Sequence, residues 1–141
     1  MWSKLIYTQG IPAPDKYFYY ARHWWHEANV DAGLWWRDSS GDCHYKLIKS
    51  GDSADPVPPK VIEDREIPCE SLSELIDECV DAGIYDLADD THRRLLGVHC
   101  DTVVAIKAKG SPEHSYLIKA GAKNDGHRRI QLIVRQYAPE L

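Results

Sequence analysis

The sequence predicts an α+β fold in a single domain spanning 1–141: an antiparallel β-sheet built from two hairpins and an N-terminal strand, with one or two α-helices packed on one face. Three observations lead there. Leu72, Leu75, Ile76, Cys79 and Val80 recur at helical spacing and form one apolar stripe, with Asp77, Glu78 and Asp81 lying off it. Thr102 to Lys109 alternates instead, with Val104, Ile106 and Ala108 set against Lys107 and Lys109, and the turn Gly110-Ser111-Pro112-Glu113 leads it into Ser115 to Lys119. Finally, 141 residues with no internal repeat are the size of one domain and sufficient to bury one core.

Taken in order, Ser3 to Gln9 reads as a short strand closed by Gly10-Ile11-Pro12-Ala13-Pro14, where two prolines forbid helix. Lys16 to Glu27 is aromatic on both alternating faces, as in a strand covered on both sides. Leu34 to Arg37 and Cys43 to Ile48 flank the polar turn Asp38-Ser39-Ser40-Gly41-Asp42 and form the first hairpin. Residues 51–60 are a proline-rich surface loop that joins the aromatic N-terminal sheet half to a helix-hairpin-helix C-terminal half. Ser71-Leu72-Ser73-Glu74 is a capping box, so the helix is expected to start at Ser71, and Gly83 stands where a C′ glycine belongs. Ile84, Tyr85 and Leu87 follow as an apolar tail. His127 to Tyr137 puts Ile130, Ile133, Val134 and Tyr137 on one helical face, although its β-branched residues also permit a strand. This order is similar to that of some small bacterial inhibitors of secreted metalloproteases, in element order and not in any motif.

Charge is distributed unevenly. The net charge is −5, but residues 51–101 carry four Lys/Arg and fourteen Asp/Glu, while residues 102–141 carry seven and three. An acidic middle third disfavours nucleic acid and attracts basic proteins. No run of apolar residues is long enough for a membrane span. The opening residues lack a secretory leader, which points to a cytoplasmic protein. Cys43, Cys69, Cys79 and Cys100 contain no CxxC pair, so they read as reduced thiols rather than metal ligands or a redox pair.

Local motifs for chemistry are sparse. His23-Trp24-Trp25-His26-Glu27 holds two imidazoles three apart, which would share a metal on a helix but point apart on a strand, the reading adopted for this segment. His99-Cys100-Asp101 gathers nucleophile, base and acid only in sequence. Lys123 and His127-Arg128-Arg129 form a basic cluster near a helix start. No phosphate loop, dinucleotide fingerprint or nucleophile elbow is present, and no cofactor is implied.

The tryptophan pairs Trp24/Trp25 and Trp35/Trp36 are different, because adjacent strand residues face opposite ways and one of each pair is expected off the main core face. The resulting expectation is a non-enzymatic protein-binding module of the inhibitor or immunity type. It would engage a protein partner, basic in character, through Trp24, Trp25, Trp35 and Trp36 on the sheet and Asp77, Glu78 and Asp81 on the helix. Two alternatives are a small enzyme or ligand binder, whose pocket is lined by Trp24, Trp25, Trp35 and Tyr45 with His23, His26 or His44 as acid, base or ligand, and a subunit of a homo-oligomer.

Overall fold

Nearly continuous apolar and aromatic runs at 17–21 and 30–36 build two central strands, and every other strand is added outward from them. The computed structural model describes residues 10–11, 14–23, 29–50, 57–90, 101–119 and 125–141. Along the chain run β1 (Lys16–His23), β2 (Val30–Arg37), β3 (Cys43–Lys49), β4 (Lys60–Ile67), α1 (Cys69–Asp81), a 3₁₀ turn (Ile84–Asp86), β5 (Asp101–Lys107), β6 (His114–Lys119) and α2 (Asp125–Tyr137). The strands form one antiparallel sheet in the order β4-β3-β2-β1-β5-β6. Two helices pack against it, so the molecule is the α+β domain that the sequence predicts.

Both faces of the sheet are buried at its centre. Phe18, Tyr20, Trp35, Tyr45, Leu47, Val104 and Ile106 point toward the helices and pack with Leu72, Leu75, Ile76 and Cys79 of α1 and Ile130 and Val134 of α2. On the opposite face Tyr17, Tyr19, Ala21, Val30, Ala32, Leu34 and Trp36 form a second cluster with Ile11 and Ala105. Gly33 sits where a side chain could not: a Cβ there would lie 2.6 Å from Leu141 Cδ1 and 2.8 Å from the Trp35 ring.

Several expectations are corrected. Lys60, the last residue of the expected 51–60 loop, begins β4, a strand the sequence reading did not find. Residues 57–59 have no regular structure, and the Val57 N–H donates to Asn29 Oδ1 at 2.6 Å, tying them to the start of β2. β4 hides from pattern reading because its pairing with β3 slips between Leu47 and Ile48, which breaks the period-two alternation, and because it is an edge strand carrying charges on both faces.

The cysteines are not all thiols either. Cys43 and Cys69 form a disulfide that joins the start of β3 to the start of α1, whereas Cys79 is free and buried. Bridging a separation of 26 residues contributes about 3–4 kcal/mol in the chain-entropy account. The bridge also explains why α1 starts two residues before the expected capping box. Cys69 is fixed as the first helical residue, Pro68 stands at the cap with no side-chain cap bond, and the Ser71 N–H donates to the Pro68 carbonyl at 2.9 Å.

At the other end of α1 the expectation holds. Gly83 adopts a φ of 89°, and its N–H donates to the Val80 carbonyl. Ile84 and Leu87 turn inward, while Tyr85 stays exposed. The last element is a helix, and its β-branched residues are accommodated because Ile130 and Val134 lie one turn apart against the core. The expected strand at 3–9 and the segment Trp24 to Glu27 lie outside the described residues.

Candidate functional site

The double burial of the sheet decides which expected site residues can meet a partner. Trp35 and Trp36 do point to opposite faces, as alternation demands, but both are sealed, at 3% and 7% exposure. Trp35 packs against Tyr45 with ring centroids 4.9 Å apart, and Trp36 stacks on His44 at 5.1 Å. The exposed aromatic surface expected at Trp35 and Trp36 is therefore not present. Trp24, Trp25 and His26 lie outside the described residues.

Nor does the expected pocket come together among the described residues. Tyr45 and Trp35 face the helices and His44 faces away from them. His23 pairs with Val30 at one end of β2, six residues along from Trp36, which pairs with His44, a separation of about 20 Å. His44 Nε2 is engaged with Asp38 Oδ2 at 2.7 Å. That hydrogen bond, helped by N–H donors from Asp42 and Ser40, outweighs burial and holds the Asp38 carboxyl below its usual range. The pair closes the first hairpin. Among the described residues no group of three or more His, Cys, Asp or Glu side chains converges as a metal site would require.

The basic cluster is also divided. His127 turns inward, and its Nε2 shares a 2.8 Å hydrogen bond with the hydroxyl of the fully buried Tyr20. Arg128 and Arg129 stay exposed. Burial pushes the His127 pKa down, the Arg135 charge adds to that, and Asp90 opposes it.

What remains open to solvent is the outer side of α1. Glu70, Glu74, Asp77, Glu78 and Asp81 are all exposed. At about 100° per residue they span roughly a 100° arc, opposite the buried stripe of Leu72, Leu75, Ile76 and Cys79. The chain continues in the same character through Asp86 and Asp89, so that residues 69–90 carry eight carboxylates and no Lys or Arg. Asp77, Glu78 and Asp81 were expected as a surface from sequence. Glu70 and Glu74 were missed, although following the polar side of the same helical wheel back two turns would have found them.

This ridge works against its own helix. Glu70 and Glu74, Glu74 and Glu78, and Asp77 and Asp81 are like charges four apart, each pair unfavourable by about 0.2–0.5 kcal/mol. The last turn holds Glu78 and Asp81 and no basic residue, so these charges also oppose the helix dipole. Glu78 interacts with the Tyr137 hydroxyl; burial first, then Glu78 and Glu74, raise that phenol to about 12. The core stripe, the disulfide and a 2.8 Å hydrogen bond from Lys16 Nζ to Ser73 Oγ hold α1 in place regardless.

No protein-family model matches this chain, and no curated protein is significantly similar to it. No helix among the described residues is long and apolar enough to cross a membrane.

Two outcomes follow. Asp81→Lys replaces a repulsion with an attractive pair to Asp77 and complements the helix dipole, so urea denaturation should show a gain of about 0.5–1.5 kcal/mol; a loss would mean that Asp81 has a stabilising partner. For His127 the folded pKa lies below the unfolded value near 6.5, so below that pH the unfolded chain binds more protons and stability falls. Wild-type stability should therefore decline between about pH 7 and pH 5, more steeply than that of His127→Gln. Parallel curves would remove this coupling.

Proposed function

We propose that this protein is a non-catalytic binding module, of the inhibitor or immunity type, that engages a basic protein partner through the acidic ridge of α1 and its continuation to Asp89. The observation that carries the reading is the set of five exposed carboxylates on α1, Glu70, Glu74, Asp77, Glu78 and Asp81, in a segment, 69–90, that has no Lys or Arg of its own, an arrangement costly to the helix that bears it. Charges that lower the stability of their own element make sense where they are neutralised by something else, and a surface rich in Lys and Arg is the complementary chemistry. The aromatic half of the expected surface is not part of this proposal, since Trp35 and Trp36 are core.

The same reading touches on compartment. A cytoplasmic protein was expected, but the Cys43–Cys69 bridge is the chemistry of an oxidising setting and favours action there.

Capture from extracts of the source cells, its hosts and its competitors provides the test, using wild type beside Asp77→Lys/Glu78→Lys/Asp81→Lys. Wild type should hold one stoichiometric partner at low salt and release it near 1 M salt, where the Debye length is about 3 Å. The triple variant, folded by circular dichroism, should bind at least tenfold more weakly, about 1.4 kcal/mol. Equal capture by both proteins would remove the ridge from the account.

A further inference from the structure

The chain gives α1 two places to begin, and the helix uses the poorer one. At the observed start Pro68 has no side-chain oxygen to accept from the first-turn amides, and no side-chain cap bond forms. Three residues beyond it, Ser71-Leu72-Ser73-Glu74 is a capping-box sequence, with a hydroxyl for the Glu74 N–H and a carboxylate for the Ser71 N–H. That box is idle. The Ser71 N–H donates instead to the Pro68 carbonyl at 2.9 Å, and Glu74 stays exposed on the ridge.

The first turn is held by the bridge. The buried stripe of α1 begins only at Leu72; before it Cys69 and Ser71 are half-buried and Glu70 is exposed. Cys69 packs at the margin of the core and is fixed through Cys43 to the first residue of β3. The other cysteine of the helix does not compete for the bridge. Cys79 lies ten residues along α1, about 15 Å away, and is fully buried, so that burial first and then the Glu78 charge push its thiol up to about 12.

Charge also favours the later start. With the helix beginning at Cys69, Glu70 and Glu74 are like charges one turn apart. With Ser71 as the cap, Glu70 leaves the helix and Glu74 takes the third helical position, where a carboxylate suits the positive end of the dipole.

We infer that the Cys43–Cys69 bridge is a redox switch for the first turn of α1: when it is oxidised the helix starts at Cys69, and when it is reduced Cys69 and Glu70 unwind and Ser71 caps a helix that starts at Leu72. A dithiol reductant drives the change. One of its thiolates attacks a bridge sulfur and its second thiol displaces the mixed disulfide, so two electrons and two protons pass to Cys43 and Cys69, which become thiols, while the reductant closes to a disulfide. The rest of α1 stays in place, because the stripe from Leu72 to Cys79 and the bond from Lys16 to Ser73 lie beyond the switched turn. The consequence for binding rests on the reading of the ridge as the partner's docking surface. The oxidised form presents Glu70, Glu74, Asp77, Glu78 and Asp81, and the reduced form withdraws Glu70 from the helix and turns Glu74 back onto its cap.

NMR on three proteins tests the switch: the oxidised wild type, the wild type in dithiothreitol, and Cys43→Ala without reductant, which removes the bridge and leaves α1 unaltered. Cα shifts of Cys69 and Glu70 should be helical in the first and lose that character in the other two, while Leu72 to Cys79 remain helical in all three. Ser71→Ala should leave the oxidised helix unchanged and, in dithiothreitol, speed exchange of the Glu74 amide at least tenfold over the reduced wild type. Helical shifts kept at Cys69 and Glu70 in either bridge-free form would overturn the inference, as would melting of α1 through Cys79. So would equal Glu74 exchange in reduced Ser71→Ala and reduced wild type. None of these outcomes involves a partner, so failure of the switch is distinct from failure of the binding-module reading, which capture decides.

Discussion

Burial of the sheet on both of its faces is the constraint from which the rest follows. In β1 the five residues from Tyr17 to Ala21 are buried without interruption, and in β2 the seven from Val30 to Trp36 are. Continuous burial of this kind is usual in parallel sheets covered by helices, whereas antiparallel sheets commonly leave one face wet. Here the aromatic residues are consumed in two core layers, Phe18, Tyr20 and Trp35 on one side and Tyr17, Tyr19 and Trp36 on the other. What the two layers leave outside is the polar side of α1 and the rims of the sheet.

That division explains how α1 can carry charges that disfavour it. An isolated helix with three like-charge pairs and carboxylates in its last turn would be weak. In this molecule its position is set by the buried stripe from Leu72 to Cys79, by the covalent tie from Cys69 to Cys43 and by Gly83 at its end, none of which depends on the outer side chains. The inner half of the helix supplies the stability, and the outer half is the part that the proposed function assigns to a partner.

The fold was legible where one physical rule acted alone. The stripe of α1 and the left-handed Gly83 are local consequences of helical period and glycine freedom, and both hairpins follow from alternation broken by a polar turn. Legibility failed where two rules competed. β4 obeys the period of two only on either side of its slip, and its edge position removes the apolar signal that a central strand would have. α1 begins at Cys69 rather than at its capping box because a bridge to a residue 26 positions away outweighs a local hydrogen-bond preference, and connectivity of that kind is not written in spacing. Trp35 and Trp36 were read correctly as facing apart, yet whether the second face is covered depends on elements brought over it from elsewhere in the chain. Of the site, Asp77, Glu78 and Asp81 were visible as off-stripe acids, but the placing of β4 and β6 at the two edges of the sheet required the strand order.

The most direct test of the account is carboxylate footprinting with a water-soluble carbodiimide, read by mass spectrometry on the free protein and on its complex with the captured partner. Glu70, Glu74, Asp77 and Asp81 should label readily in the free protein and become protected in the complex, while Asp42 and Asp125, exposed elsewhere, label equally in both states. Protection at Asp42 or Asp125 with the α1 carboxylates still reactive would place the interface elsewhere and contradict the account.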